Sequence, residues 1–389
     1  MRAATRGASI GGLFFVAFCA SSFLLLGEES APQIVPQTPK VTLGSSSPIP
    51  QPRSPPPQGL LANYIKLHAD IISGNAPPRF LQWTCPPLCP GWGDRIRGIL
   101  NTIVVGVLTN RAVLIDQSTV DLVRFYKTDV INYAFEPTIP PDVFHACHPV
   151  YVCSPCTDDL PSLSQGDLPF IKSSGSSWCF EKLMSHPVLE EARELLFEGL
   201  GEHSPFWRTI FYEAFFQPTP LLDSAIASIW NPSHNSIGIH LRTGLVSKDD
   251  SQLHGTLEEY LTETALCIAN RTESISGSSV EVFIAGDNEE AVQKMTEITG
   301  SLLRDRGINL KVLTGEAAGI IEHVAWASNP ESSHQRLFAE FEVFRRVETL
   351  FPGNSGFSLM AHVVRQKFEN HNFVPYLQCL PVPAEEMYH

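Results

Sequence analysis

The segment 237–244, Ile-Gly-Ile-His-Leu-Arg-Thr-Gly, constrains the fold of this chain more than any other stretch. Apolar residues at 237, 239 and 241 alternate with glycine, histidine and arginine, which is the period-two pattern of a short buried strand. The predicted strand stops at Thr243-Gly244, so His240 and Arg242 lie at its carboxyl end, where open α/β sheets bind ligands. Arginine presents there a planar fork of donors that matches a phosphate or carboxylate. The segment therefore predicts a site for a phosphorylated ligand.

Strands and helices alternate through the second half of the chain. Strands are predicted at 280–285 and 310–313, with a short extended element at 350–351. Helices are predicted over 256–270, 288–306, 335–347 and 357–368, and Thr256 with Glu259 forms the capping box of the first. Alternating strands and helices indicate a parallel sheet of Rossmann type. Asn231-Pro232 breaks the pattern just before this half, so we place a domain boundary between 235 and 236.

The first half contains a glycine-rich loop that leads into a helix. Gly91, Gly93, Asp94 and Arg95 belong to this loop, the apolar residues from 96 to 108 share one helical face, and a strand follows at 112–116. Further helical segments are predicted at 60–72, 187–200 and 205–229. A glycine-rich loop that opens a helix presents backbone N–H groups to an anion or sugar. The alternative is a tight entry turn without a ligand.

Length and charge limit the class of protein. The chain has 389 residues, is 43% hydrophobic and 17% charged, and carries a formal net charge of −14. That length suffices for two domains plus tails. We divide the chain into a tail and signal anchor (1–27), a stem (28–59), an N-terminal domain (60–235) and a C-terminal nucleotide-binding domain (236–389). The acidic balance argues against nucleic acid as a partner.

The N-terminus predicts entry into the secretory pathway. Arg2 and Arg6 precede an apolar run over 10–26, which is near the minimum for a membrane span, and the positive flank favours a lumenal body. A cleaved signal peptide, giving a secreted protein, is the alternative. The proline-rich stem predicts an extended, disordered spacer. This order is typical of single-pass type II Golgi transferases and also of shed ectodomains.

Cysteines and one sequon fit that compartment. Nine cysteines are present, of which only Cys19 lies in the anchor, so disulfides are expected in an oxidising lumen. Zinc is the alternative, because histidine and cysteine residues cluster at 145–156. Asn270-Arg-Thr is the one acceptable N-glycosylation sequon.

A third loop is predicted at the same sheet edge as 242–250 and 286–288. It spans 353–358, where Ser355, Gly356 and Ser358 surround the start of a helix. Helix N-termini favour a phosphate through their N–H groups and dipole. A plain helix cap is the alternative for either serine.

The chain resembles the GDP-fucose fucosyltransferases, a superfamily with α1,2, α1,6 and protein O-fucosyltransferase members. The resemblance rests on three short motifs and on the glycine loop, which is most similar to the plant cell-wall type. The four segments are His240-Leu-Arg-Thr-Gly244, Ala285-Gly-Asp287, Ser355-Gly-Phe-Ser358 and Gly91-Trp-Gly-Asp-Arg-Ile-Arg-Gly98. The stretch 117–235 shows no match.

The resemblance implies a GT-B fold of two Rossmann-like domains and an inverting, metal-independent transfer from GDP-fucose to a glycan or glycoprotein, with no cofactor. It implies that Arg242 pairs with the β-phosphate and stabilises the leaving group. It places His240 and Asp287 at the nucleoside and adds Gly244 to the donor site. Ser355, Gly356, Phe357 and Ser358 would hold the phosphates or shape the pocket. Thr243 replaces the second arginine of some relatives, which disfavours α1,6 specificity.

An inverting transfer needs a base for the acceptor hydroxyl. We favour Asp250 over Asp249 for this role, and the alternative for both is a solvated polar loop. Arg95 and Arg97 are candidates to complete the cleft, unless Arg97 lies on a solvated helix face. Two other functions stay open, a lectin-like or scaffold protein on a degenerate transferase fold and a transferase for another nucleotide sugar.

Overall fold

Two parallel β-sheets organise the described part of the chain. The computed structural model describes residues 58–85, 91–138, 169–174, 187, 190–200, 207–231, 236–243, 256–272, 279–322, 329–353, 355–365 and 372–373. The N-terminal sheet has the order β2-β1-β3, with β1 (Phe80–Thr84), β2 (Ala112–Ile115) and β3 (Phe170–Ser174). The C-terminal sheet has the order β6-β5-β4-β7-β8, with β4 (Ser236–Leu241), β5 (Val280–Gly286), β6 (Leu310–Thr314), β7 (Thr349–Phe351) and β8 (Asn372–Phe373).

Helices connect these strands and cover the sheets. Within the described residues they are α1 (Gln58–Ile72), α2 (Trp92–Leu108), α3 (Glu190–Leu200), α4 (Trp207–Phe215), α5 (Pro220–Ile229), α6 (Leu257–Thr272), α7 (Glu289–Asp305), α8 (Pro330–Phe344) and α9 (Gly356–Val363). The pairings between described strands are all parallel. This arrangement confirms the predicted α/β class with parallel sheets.

Strand β4 is the centre of the C-terminal sheet, and all six of its residues are buried. Its odd-numbered apolar residues pack on one side with those of α6 and α7. On the other side a methyl group at Gly238 would lie 2.9 Å from both Phe344 and Val347, so glycine lets α8 approach the sheet. After β4 the chain adds β5 and β6 on one side of the sheet, and it then returns to add β7 and β8 on the other side. This change of side between β4 and β7 creates the crevice where doubly wound sheets bind ligands.

The apolar core continues from the N-terminal half into the C-terminal half. Phe338 of α8 lies 4.7 Å from Trp92 of α2 and 4.9 Å from Phe125, measured between ring centroids. Helices α2 and α9 also contact each other. The boundary predicted at 235–236 falls immediately before β4, and the division into domains stays a prediction.

Most predicted elements are present, with corrected ends. The capping box is confirmed, because Thr256 N donates to Glu259 Oε2 at 2.8 Å and Glu259 N donates to Thr256 Oγ1 at 3.2 Å. Helix α8 begins at Pro330 instead of 335, since Asn329 caps it and proline suits the first helical position. The helix predicted over 205–229 is two helices, divided where Thr219 caps α5.

Strands β1, β3 and β8 are additions to the prediction, because the sequence patterns indicate no strand in these segments. Helix α9 ends at Val363, earlier than 368. Residues 58 and 59, assigned to the stem, instead begin α1.

Several predictions concern residues outside the described ranges. They include the tail and anchor, the stem up to residue 57, the cysteine–histidine cluster at 145–156, Gly244, Asp249 and Asp250. Among the described residues, no helix is both long and apolar enough to cross a membrane. The same residues contain no group of three metal-ligating side chains.

Candidate functional site

The predicted site residues of the C-terminal half meet at the carboxyl edge of the sheet. Arg242 directly follows β4, Asp287 directly follows β5, and Gly353 lies two residues beyond β7. A methyl group at Gly353 would lie 2.7 Å from the carbonyl oxygen of His240 and 3.0 Å from Cβ of Arg242. Glycine is therefore required where this loop crosses the end of β4, at the switch point of the sheet.

Arg242 is held by an acidic neighbour. Its Nη1 donates to Asp287 Oδ2 at 3.1 Å, and the two side chains are 17% and 13% exposed. The other carboxylate oxygen, Oδ1, accepts hydrogen bonds from Thr243 N at 2.9 Å and Thr243 Oγ1 at 2.7 Å. Sequence patterns single out Arg242 and Asp287 but give no sign of Thr243 as their partner.

His240 is a buried neutral imidazole. Its Nδ1 lies 3.1 Å from Ser358 Oγ, and its ring lies 5.7 Å from Phe344 and 5.2 Å from Phe357. Burial lowers the pKa of His240 to about 4, opposed by the Asp287 carboxylate and assisted by the Arg242 cation. The imidazole can thus donate or accept a hydrogen bond at neutral pH without carrying charge.

The serines at the start of α9 make hydrogen bonds within the protein. Ser355 Oγ accepts a hydrogen bond from Phe357 N at 3.2 Å. Ser355 is therefore the N-cap of α9, which is the alternative that the sequence leaves open for this serine. Ser358 is fully buried, and its hydroxyl lies 3.4 Å from the carbonyl oxygens of Gly353 and Ser355. Their predicted contacts with phosphates stay predictions.

The glycine loop is shorter than predicted, because α2 begins at Trp92. Gly91 is the residue before the helix, and Gly93, Asp94 and Arg95 form its first turn. A methyl group at Gly93 would lie 2.2 Å from the carbonyl carbon of Gly356 and 2.5 Å from Phe357 N. The first turns of α2 and α9 therefore touch through backbone atoms, which joins the glycine loop to the third motif.

Two arginines of α2 are buried beside this contact. Arg95 is 1% exposed and donates to Thr119 Oγ1 at 3.3 Å, and burial lowers its pKa to about 10. Arg97 is 6% exposed and pairs with Asp94 at 3.2 Å, which excludes the solvated helix face proposed for it. The Arg95 guanidinium stays charged at neutral pH.

Asn270 lies near the end of α6 and is exposed. Its Oδ1 accepts a hydrogen bond from Arg306 Nη1 at 3.2 Å. This position is accessible, and its glycosylation stays a prediction.

Replacing Gly93 by alanine is expected to destabilise the protein by about 1–3 kcal/mol, the usual cost of overpacking. The added methyl group meets backbone atoms of α9, which cannot rotate away as a side chain can. Chemical denaturation measures the free energy of unfolding. Gly199→Ala in α3 is the matched control, because its methyl group would meet its nearest atom at an ordinary 3.6 Å. Equal stability of the two variants would contradict the close contact between α2 and α9.

Comparison with known proteins places this geometry in a known fold. No protein-family model and no curated protein sequence matches the chain. The structure is similar to that of an arginine-to-lysine mutant of Arabidopsis thaliana FUT1 in complex with GDP, with a TM-score of 0.57 and 12% identity over 80% of this chain and 79% of the other. The fold is GT-B. The GT-B fold predicted from the four motifs is thereby confirmed.

The apo form of POFUT1 is a second similar structure, with a TM-score of 0.37 and 11% identity over 74% of this chain and 95% of the other. Arg242, Asp287 and Gly353 lie at the carboxyl edge of the C-terminal sheet. The site residues described above belong to that edge and to the first turn of α2.

Proposed function

We propose that this protein is an inverting, metal-independent glycosyltransferase that moves fucose from GDP-fucose to a hydroxyl of a glycan or glycoprotein. The observation that carries the proposal is Arg242, a guanidinium at the switch point of the C-terminal sheet, oriented by Asp287. The GT-B fold supports it, because the similar structure of the Arabidopsis thaliana FUT1 mutant was determined in complex with GDP.

Arg242 would pair with the β-phosphate of the donor. As the acceptor oxygen attacks the anomeric carbon of fucose, the bond from that carbon to the β-phosphate oxygen breaks and GDP leaves with the electron pair. A fixed guanidinium stabilises the negative charge that develops on the phosphate. Its planar fork matches two phosphate oxygens, which an ammonium group cannot do.

The acceptor proton must pass to a base during this step. We assign this role to Asp250, which follows Arg242 closely in sequence and lies outside the described residues. The resemblance to the GDP-fucose fucosyltransferases supports inversion and metal independence. His240 would present its neutral imidazole at the nucleoside.

We place the protein in the Golgi membrane, with a single N-terminal anchor and a lumenal body. The apolar run over 10–26 with preceding arginines supports this orientation. The eight cysteines outside the predicted anchor support an oxidising compartment.

Ligand-dependent stability tests the proposal directly. Thermal unfolding of the purified full-length chain is measured with GDP, UDP and GDP-fucose, each with and without EDTA. GDP and GDP-fucose are expected to stabilise the fold by about 2.7 kcal/mol at a hundredfold excess over their Kd, and EDTA is expected to change nothing. Stabilisation by UDP alone would favour another nucleotide sugar, and stabilisation by none would favour the scaffold function.

A further inference from the structure

Asp287 has both carboxylate oxygens engaged at the end of the neighbouring strand. Oδ2 accepts from the Arg242 guanidinium at 3.1 Å, while Oδ1 accepts from the backbone and hydroxyl of Thr243 at 2.9 and 2.7 Å. Thr243 itself is completely buried. A buried hydroxyl that donates to a carboxylate makes a strong, charge-assisted hydrogen bond. These contacts define a bracket of three residues, Arg242, Thr243 and Asp287.

The backbone fixes where this bracket sits. Asp287 N donates to the carbonyl oxygen of Leu241 at 3.2 Å. A methyl group at Gly286 would lie 2.8 Å from that same oxygen, so glycine allows the end of β5 to approach the end of β4. The register of the two strands therefore delivers the Asp287 carboxylate to residues 242 and 243.

We propose that Asp287 and Thr243 are positioning residues that hold the guanidinium of Arg242 for a phosphate, in place of the nucleoside contact expected for Asp287. This inference rests on the proposed function. A free arginine side chain loses rotamer entropy when a ligand immobilises it. An arginine already held by Asp287 loses less on binding, because its orientation is set beforehand.

The two possible roles of Asp287, nucleoside contact and positioning of Arg242, predict different effects on GMP and GDP affinity. A nucleoside contact acts on GMP and GDP alike. A positioning role acts through Arg242, so it affects GDP, which has a β-phosphate, and leaves GMP unaffected. Thr243 separates the roles most cleanly, because its hydroxyl touches Asp287 Oδ1 and its replacement leaves the charge of the site unchanged.

The test measures GDP and GMP affinities of the full-length chain by calorimetry for Thr243→Val, Thr243→Ser and Asp287→Asn. Thr243→Val removes the hydroxyl with little change of shape. We expect it to lower the affinity for GDP about tenfold, as loss of one hydrogen bond to a charged group does. Thr243→Ser restores most of that affinity. Asp287→Asn replaces one carboxylate oxygen, facing either Arg242 or Thr243, by an amide group that donates hydrogen bonds. We expect it to lower the affinity for GDP at least as much. GMP affinity is expected to stay unchanged in all three variants.

A double-mutant cycle with Arg242→Ala completes the experiment. If Thr243 acts through Arg242, Thr243→Val has no further effect on nucleotide affinity in the Arg242→Ala background. An equal loss of GMP and GDP affinity, or a Thr243→Val effect that persists without Arg242, would overturn the positioning role. Absence of nucleotide binding in the unsubstituted protein would refute the proposed function instead. The bracket is then tested by the same cycle on unfolding free energies, where strict additivity overturns it.

Discussion

Replacement of Arg242 by alanine is expected to lower turnover of GDP-fucose about 10²–10³-fold, the usual effect of removing one donor to a developing negative charge. The same change is expected to weaken GDP binding, so that GDP stabilises the variant less than it stabilises the unsubstituted protein. The reason is that Arg242 supplies the guanidinium at the switch point, and its alanine variant leaves Asp287, 13% exposed, without that cation. Steady-state kinetics and thermal shift with GDP measure the two effects.

Two further variants decide whether charge or geometry matters. Arg242→Lys keeps the charge but not the planar fork of donors, so we expect it to lower turnover of GDP-fucose nearly as much as Arg242→Ala does. Arg304→Ala removes an exposed arginine from the far end of α7, about 22 Å along the helix from its start, and should leave donor binding unchanged. Near-normal turnover by Arg242→Lys would contradict bidentate recognition of the phosphate.

Sequence patterns predicted most of the C-terminal half, because these elements have local signatures, whereas the two-residue strand β8 has none. The apolar alternation of β4 spans six consecutive residues, and the two residues of the capping box of α6 are three positions apart. Strand β1 has no such signature, since its five residues are followed by cysteine and prolines and its partners β2 and β3 lie far along the chain. Its assignment depends on pairing that only the folded structure supplies.

The site shows the same limit. The rule that ligands bind at strand ends identified His240, Arg242 and Asp287, and the structure places them at one edge. The contact between Thr243 and Asp287 joins residues 44 apart, and the contact between Gly93 and Gly356 joins the two halves of the chain. Motif spacing cannot report such contacts, because they arise from strand register and helix packing.

A buried charged cluster links the two halves at some distance in sequence from all four motifs. Glu342 of α8 is completely buried and accepts hydrogen bonds from Tyr212 of α4 at 2.8 Å, from Arg345 at 2.8 Å and from Arg346 at 3.1 Å. Burial first, and then the Glu342 carboxylate, raise the pKa of Tyr212 well above its usual value. The tyrosine thus stays a neutral donor.

Arg345 extends this cluster to the end of α9. Its guanidinium lies 4.1 Å from the centre of the Tyr212 ring, and its Nε donates to the carbonyl oxygen of Val364 at 2.7 Å. The Glu342 carboxylate of α8 thereby connects to α4 of the N-terminal half through Tyr212, and to the end of α9 through Arg345. Because α9 also carries the third motif, the cluster connects this motif with the N-terminal half.

Glu342→Ala is expected to lower the free energy of unfolding by about 3–5 kcal/mol, because removal of one partner leaves a buried charge uncompensated. Arg345, 1% exposed, then has only Glu213 at 3.5 Å among the carboxylates in the described part of the chain. Glu342→Gln keeps the shape and one acceptor oxygen but not the charge, so its loss is expected to be smaller. Chemical denaturation of the full-length chain measures both. Glu290→Ala, at an exposed ion pair on α7, is the control and should not shift the midpoint. A loss for Glu342→Ala no greater than for this control would show that the cluster does not hold the halves together.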